Sequence, residues 1–374
     1  MTSPKMMMLN AYRGVFSERY PVAPEFWYYY PAKVLGVDMI EFEREVPLWK
    51  GLLAAFRKYG AEGYCVAGAA VSNPHIETTS DFKGVSGESD RFTDDITIRL
   101  DGLRLHKRVL YFRNDPSWVV TYPVNTEAEM DAFFRAAVSD DAAYDFTEAN
   151  RAHEGVGEDI LAEFGLGASF VDFFIGVMGF ENAVYYFKYT DEDKLYAYMN
   201  RYIEHKIKLL RETAEKTNFE SVMTSSGISC VALVGAAFWR KWDKPYQAAI
   251  TKEAHRLNFL VHSHNHGKLM DTVPDFAEIG FDCVCPFERE PGDVIGFEGL
   301  KRVRRQLDGK VTFKGNVHTI ATLIDGGPED VRREVREIKE AFAGSPRLII
   351  STGDQVGGET PEENIYAMLE EGRR

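Results

Sequence analysis

The sequence predicts an α/β fold, a closed (β/α)8 barrel preceded by an N-terminal extension. From about Asp145 onward, short apolar segments alternate with amphipathic ones, and at least five such units follow residue 217. No predicted strand is followed by the glycine-rich phosphate loop of open, doubly wound sheets. Polar side chains able to do chemistry stand at the strand ends: His264 and His266, Glu288, Asn316 with His318, and Asp354. In a barrel these ends meet on one rim, where barrel enzymes carry their active sites.

The elements follow in order. Residues 1–145 are irregular, an extension with hairpin insertions, and the chain 1–374 reads as one barrel domain. "FTDDITIRLDG" and "KRVLYFRNDPSWVVTYPV" read as strands around a turn at Asp101-Gly102. "NTEAEMDAFFRAAV" reads as a helix. "TDEDKLYAYMNRYIEHKIKLLRETAEKT" is a long amphipathic helix that Thr190 can cap, with an apolar stripe of Leu195, Tyr198, Met199, Tyr202 and Ile203. "SVMTSSG", "NFLVHSH", "FDCVCP", "KVTFKGN" and "RLIISTGD" are the strands that follow. Between them lie helices: "AFWRKWDKPYQAAITKEAHRL", broken or kinked at Pro245, then "KLMDTVPDFAEIG", "EGLKRVRRQLDG" and "GPEDVRREVREIKEAFAG". In the last helix, "TPEENIYAMLEEG", Thr360 and Glu363 form a capping box with Pro361 at the first position.

Composition narrows the class. A hydrophobic fraction of 45% and an aromatic fraction of 13% describe a globular chain. The net charge of −14 and the lack of a basic stripe speak against nucleic acid. No apolar run approaches the roughly 20 residues that span a bilayer, and the N-terminus does not read as a signal peptide. Four cysteines, Cys65, Cys230, Cys283 and Cys285, suit a reducing compartment, so a cytoplasmic address is expected.

The stretch "VHSHNHGKLM" sets His262, His264 and His266 two residues apart, which in an extended chain puts all three rings on one side. Catalytic zinc takes three protein ligands and keeps a position open for substrate. His264 and His266 can reach one metal, Asp354 from another strand end can complete the set, and Glu288 can be a fourth ligand or a base. Two imidazoles and a carboxylate fit iron as well. Histidines at strand ends also serve simply as hydrogen-bonding groups, and spacing alone leaves both readings open. His262, deeper in the strand, reads as packed or hydrogen-bonded.

At these residues the chain resembles the uroporphyrinogen decarboxylase superfamily, and within it the cobalamin-linked methyltransferases. The resemblance runs through "YRGVFSERYPVAP", "DFFIGVMGFENAVYYF", "WDKPYQAAITKEAHRLNFLVHSHNHG", "KGNVHTIATLIDGGPEDVRREV" and "LIISTGDQVGGETPEENIYAM". It implies the same barrel. The methyltransferase branch binds zinc through H-x-C-G at a strand end and a later cysteine in "GC". The matching positions here read His264-Asn265-His266-Gly267 and Gly353-Asp354. His264 is kept, and both thiolates are replaced, by His266 and Asp354. All three positions still hold a metal ligand.

That replacement bears on the substrate. Thiolate-rich zinc is soft and suits a thiol, whereas a His/His/carboxylate set leaves more positive charge on the metal and suits an oxygen donor such as a methyl ether. The resemblance implies transfer of a methyl group from a small-molecule donor to the cob(I)alamin of a separate corrinoid protein, and no corrinoid-binding domain is visible in this chain. Glu288 and His318 are the candidate catalytic residues, Glu288 as fourth ligand or proton donor to the leaving oxygen. Asn316 is a candidate substrate contact. So are Trp27, Tyr28 and Tyr29 in the aromatic run Phe26–Tyr30, which otherwise packs the extension onto the barrel. If a ring of that run faces the site, a methoxylated aromatic becomes the leading donor. Tyr185, Tyr186 and Phe187 carry the same two readings. A homodimer is compatible with all of this.

Three rival readings remain. The decarboxylases grip tetrapyrrole acetates with an arginine-rich N-terminal stretch, but "ERYPVAPEFWYYYPAK" holds no such pair, only Arg19 and Lys33 nearby. A corrinoid-to-thiol methyltransferase fits the loss of both thiolates less well. A non-catalytic binding protein would have no need of the ligand set.

Overall fold

Thirteen strands and sixteen helices are found in the computed structural model, which describes residues 2–307 and 309–374. The strands are β1 Tyr64–Ala67, β2 Ala70–Ser72, β3 Glu77–Gly84, β4 Arg91–Leu100, β5 Leu103–Phe112, β6 Trp118–Thr121, β7 Ala143–Asp145, β8 Leu161–Gly165, β9 Ser221–Ser226, β10 Leu260–Asn265, β11 Cys283–Pro286, β12 Thr312–Val317 and β13 Leu348–Thr352. Seven form one parallel sheet in the order β1-β8-β9-β10-β11-β12-β13. From β8 on, each strand is followed by helix before the next, as parallel pairing requires.

The sheet is strongly curled. β1 and β12 lie five strand spacings apart, roughly 24 Å along a flat sheet, yet Lys314 Nζ of β12 sits 4.6 Å from the ring centre of Tyr64 in β1. Beyond β13, residues 21–25 run parallel to it, through bridges Val22↔Ile350 and Glu25↔Gln355. The sequence predicts eight staves closed into a barrel; the structure shows seven parallel strands in a curled sheet, with this irregular stretch bridged to the β13 side. Outward-facing Val261, Val284, Phe313 and Ile350 join the apolar faces of the helices in one core running from Val22 to Leu369. Helix Pro328–Ala341 shows why: Val331, Val335, Ile338 and Ala341 are buried on one face, each larger side chain contributing about 1.5–3 kcal/mol.

The insertions form β3–β6, a four-stranded antiparallel sheet, and β2 pairs with β7. The β4–β5 hairpin turns at Asp101 and Gly102, with φ of 46° and 80°, the left-handed geometry that Asp-Gly accommodates. Helix Glu127–Ala137 starts with a full capping box, Thr126 and Glu129.

Of three local expectations, two need correction. The long helix Glu192–Lys216 is capped by Asp191, whose carboxylate accepts from Lys194 N at 3.2 Å, not by Thr190. At Pro245 the expected break is found, between Ala236–Trp242 and the new helix Lys244–Arg256. The capping box at Thr360 and Glu363 does not form: Pro361 is the N-cap of Glu362–Arg373, and the buried Thr360 hydroxyl meets no partner among the described residues.

Candidate metal centre

Strand β10 carries His262 and His264 on its inward face, and His266 follows where the chain leaves the sheet. The parallel register sets His262 opposite Cys283, and His264 opposite Cys285 on one side and Ser225 on the other. Gly267 then turns the chain with φ of 82°, and a Cβ there would lie 2.8 Å from that of Ala232, so only glycine lets this loop pass.

The rings form a continuous chain of polar contacts. Glu163 Oε2 lies 2.7 Å from His262 Nδ1, and His262 Nε2 lies 3.0 Å from Cys285 Sγ. The same sulfur is 3.1 Å from His264 Nδ1. His264 Nε2 faces His266 Nε2 at 2.6 Å, and His266 Nδ1 meets Glu288 Oε1 at 2.5 Å. The other Glu288 oxygen accepts from Gly267 N at 2.8 Å. His266, Glu288 and Asp354 are half-buried, and each offers a ligand atom within 4.8 Å of the others. His264 adjoins this group through His266. Of the four expected ligating or acid–base groups, His266, Glu288 and Asp354 therefore converge, and His264 stands next to them.

Electrostatics divide the pair. Burial, with His266 and His262 close by, holds His264 well below the ordinary imidazole value, so it is neutral. Burial also disfavours charge on His266, but the hydrogen bond to Glu288 and the nearby Asp354 outweigh it and raise its pKa. A proton on His266 Nε2 then bridges to His264 Nε2. A divalent cation bound there would replace that proton, the usual competition between metal and proton at imidazole. Burial raises the Asp354 carboxyl against the pull of His266. Asp354 Oδ1 accepts from Gln355 N at 2.6 Å. His266, Glu288 and Asp354 together offer one imidazole and two carboxylates, the nitrogen and oxygen donors that zinc-type ions take, and His264 Nε2 stands 2.6 Å from His266 Nε2.

A cleft of about 170 Å³ opens beside these groups, lined by Glu288, Pro291, His318, Ile320 and Asp354 among others. That is below the roughly 300–1,000 Å³ of pockets for drug-sized ligands, so it suits a small molecule. His318 lines it with a fixed tautomer: Nδ1 accepts from the N–H groups of Ile320 and Ala321, both at 3.1 Å, which leaves the proton on Nε2. Asn316 is fully buried, and its amide donates to the carbonyls of Phe287 at 2.9 Å and Val294 at 3.2 Å, so that amide ties loops together.

The aromatic run splits. Phe26 and Tyr30 pack with Phe56 and Tyr59 in the core. Tyr28 and Tyr29 pack against Ala32, Met39 and Phe42, and Tyr29 reaches Asp115, so neither is brought to the site. Trp27 is: its ring is edge-on to His264 at 6.3 Å and to Tyr64 at 5.7 Å, and Nε1 donates to Glu25 at 2.7 Å. Glu25 is in turn held by the Tyr64 hydroxyl at 2.8 Å and by the buried Lys314 ammonium. Tyr186 and Phe187 belong to the core, and Tyr185 is exposed. Sequence reading missed Glu163, Glu25, Lys314 and the placement of Cys285. The signal available for Glu163 was a carboxylate inside the otherwise apolar "LAEFG".

Comparison with known proteins agrees with this architecture. A solved structure, a methyltransferase from Methanosarcina mazei, superposes with a TM-score of 0.67 over 100% of this chain and 98% of that one. At 15% identity the likeness speaks for the shared fold. A uroporphyrinogen decarboxylase from Paraburkholderia phytofirmans is 26% identical over 85 residues. The chain spans 23% of the length of that curated relative, and 22% of the chain is matched. The family model described as uroporphyrinogen decarboxylase (URO-D) matches residues 123–374, about two thirds of the chain and all of the candidate centre except Trp27, so the chain belongs to the uroporphyrinogen decarboxylase family.

Proposed function

We propose that this chain is a zinc-dependent methyltransferase that moves a methyl group from an oxygen donor, a small methoxylated aromatic, to the cob(I)alamin of a separate corrinoid protein. The observation that carries the reading is the donor set. His266, Glu288 and Asp354 offer ligand atoms within 4.8 Å of one another, Glu288 and Asp354 line the cleft, and His264 Nε2 faces His266 while Cys285 lies behind it, in contact with its far nitrogen. A methyltransferase of the same fold supports the reaction class.

In this reading the chain 1–374 works as one barrel domain. His264, His266 and Asp354 hold the metal, and Glu288 orients His266 through Nδ1. Bound zinc supplies Lewis-acid pull on the ether oxygen, which makes phenolate a better leaving group. His318, with its proton fixed on Nε2, donates to the leaving oxygen. Trp27 offers an aromatic wall beside His264. Decarboxylation is the lesser reading, because Arg19, the arginine of the N-terminal stretch, is already engaged by both oxygens of Glu62, at 3.0 and 2.6 Å.

Metal analysis of the purified protein by mass spectrometry, wild type beside His266→Ala, tests the proposal. About one zinc per chain, lost in the variant, supports it. Methoxy compounds then serve as donors in an assay with reduced corrinoid protein. A wild-type protein free of stoichiometric metal under conditions that spare labile sites, or full turnover in His266→Ala, overturns it.

A further inference from the structure

The contacts beneath the metal centre admit an ordering of their hydrogens. Glu163 and His262 are both fully enclosed, with no water to compete. Glu163 Oε1 accepts from the Ser221 hydroxyl at 3.1 Å, and Oε2 faces His262 Nδ1 at 2.7 Å. A carboxylate only accepts, so Nδ1–H of His262 donates to it, and in the neutral form of the ring Nε2 keeps its lone pair. Among the described residues, the donor in contact with that lone pair is the Cys285 thiol at 3.0 Å. The sulfur, having spent its hydrogen, can only accept from His264 Nδ1 at 3.1 Å. His264 therefore carries its proton on Nδ1 and presents a bare Nε2 toward His266.

We infer that Glu163, His262 and Cys285 form a buried positioning relay that fixes His264 as its Nδ1–H tautomer and so aims a lone pair on Nε2 at the metal centre. The inference deepens the proposed function and rests on its reading of His264 as a ligand. It assigns a task to three residues on β8, β10 and β11 of the parallel sheet that touch neither metal nor substrate. It also gives a reason for the histidine row: His262 works through Cys285 on His264, as a carboxylate backs a ligating histidine elsewhere, but one layer deeper. A hydroxyl can replace the thiol in this scheme, since it too donates once and accepts, whereas a methyl group breaks the order.

The test reads the tautomer directly. Nitrogen-15 spectra of histidine-labelled, metal-free protein, with His264 assigned by its loss in His264→Gln, report which nitrogen bears the proton. The wild type is expected to show Nδ1–H at His264. Cys285→Ala should lose that preference, and Cys285→Ser should keep it. A wild-type His264 protonated on Nε2, or a tautomer unchanged in Cys285→Ala, overturns the relay. Zinc affinity by competition with a chromophoric chelator gives the second readout: about 10- to 100-fold weaker binding in Cys285→Ala, restored in Cys285→Ser. Equal affinity in all three proteins also overturns it. Because the spectra need no metal, a protein that binds no zinc but shows the ordered tautomer defeats the metal reading and leaves the relay standing. Should Cys285→Ala fold poorly, the wild-type tautomer and the Cys285→Ser spectrum still decide.

Discussion

The interior of the sheet and its mouth use the same residue types to opposite ends. In the interior, Lys314 and Glu25 are fully buried and paired with each other, and Glu163 and His262 are likewise enclosed and paired. At the mouth, His266, Glu288 and Asp354 are half-buried, and the two neighbouring imidazoles share one proton between lone pairs. A buried charge is stable only when its partner is fixed. The inner layer is therefore spent on holding the fold, and the outer layer keeps unsatisfied capacity for a ligand. Position along the strand axis, not residue type, separates structure from chemistry.

The largest effect should come from the mouth. His266→Ala is expected to take zinc from about one per chain to near none and to abolish turnover, with stability changed by no more than about 1–2 kcal/mol, because His266 and its partner Glu288 both keep some solvent exposure, 26% and 18%. Metal analysis and a denaturant titration on the same sample check both halves. A large stability loss would erase the contrast between the two layers.

Lys314→Met should do the reverse. It strands the Glu25 carboxylate in the interior and should cost about 3–5 kcal/mol by urea unfolding. Adding Glu25→Gln should recover part of the loss. Equal costs for the single and double variants would mean that the pair is not coupled.

A buried acid sharpens the comparison through pH. Burial, helped by nearby Asp172, pushes the Asp243 carboxyl up to about 7 from an ordinary 3.8. Its raised value means that the folded state binds the proton more tightly. Stability from this group is full below pH 3.8 and is lost as pH rises through about 7, a loss of up to about 4 kcal/mol. Asp243→Asn should be the more stable protein at pH 8, with the gap closing toward pH 4. Parallel stability curves for the two proteins would count against it.

The smallest effect concerns Trp27. Trp27→Leu should raise the KM for an aromatic donor about 5- to 10-fold, with zinc content unchanged. Lost zinc instead would make the ring a support for His264, to which it lies edge-on.

Much of the βα half was legible because its signals are local. The two-residue period in "VHSHNH" gave the inward face of β10, and the strand ends named His264, His266, Glu288 and Asp354 as neighbours. Asp101-Gly102 announced its hairpin. What escaped reading depends on curvature. Lys314 and Glu25 are 289 positions apart in sequence, and only the rolled sheet lets them meet. Glu163 sits in a short strand with no periodic partner, so nothing in "LAEFG" says which histidine it faces. Tyr28 and Tyr29 look equivalent to Trp27 in the sequence, but successive side chains diverge, and only one of the three turns toward the rings. Thr360 failed as a cap because Pro361 itself takes the N-cap position.

The stretch that lies beside the last strand has a consequence for synthesis. Ala23 N donates to Ile350 O, Ile350 N to Pro21 O, and Thr312 Oγ1 to Ala11 O. Residues 11–23 are synthesised long before residues 312 and 350, and find these partners only once those have been made. Until then Val22, Ala23 and Phe26 have no sheet to rest on, and Trp27 and Asp354 cannot stand on one rim. The site around His266 and Glu288 is completed only after Asp354 is made, and the growing chain carries a long interval of exposed apolar surface in which a chaperone has time to act.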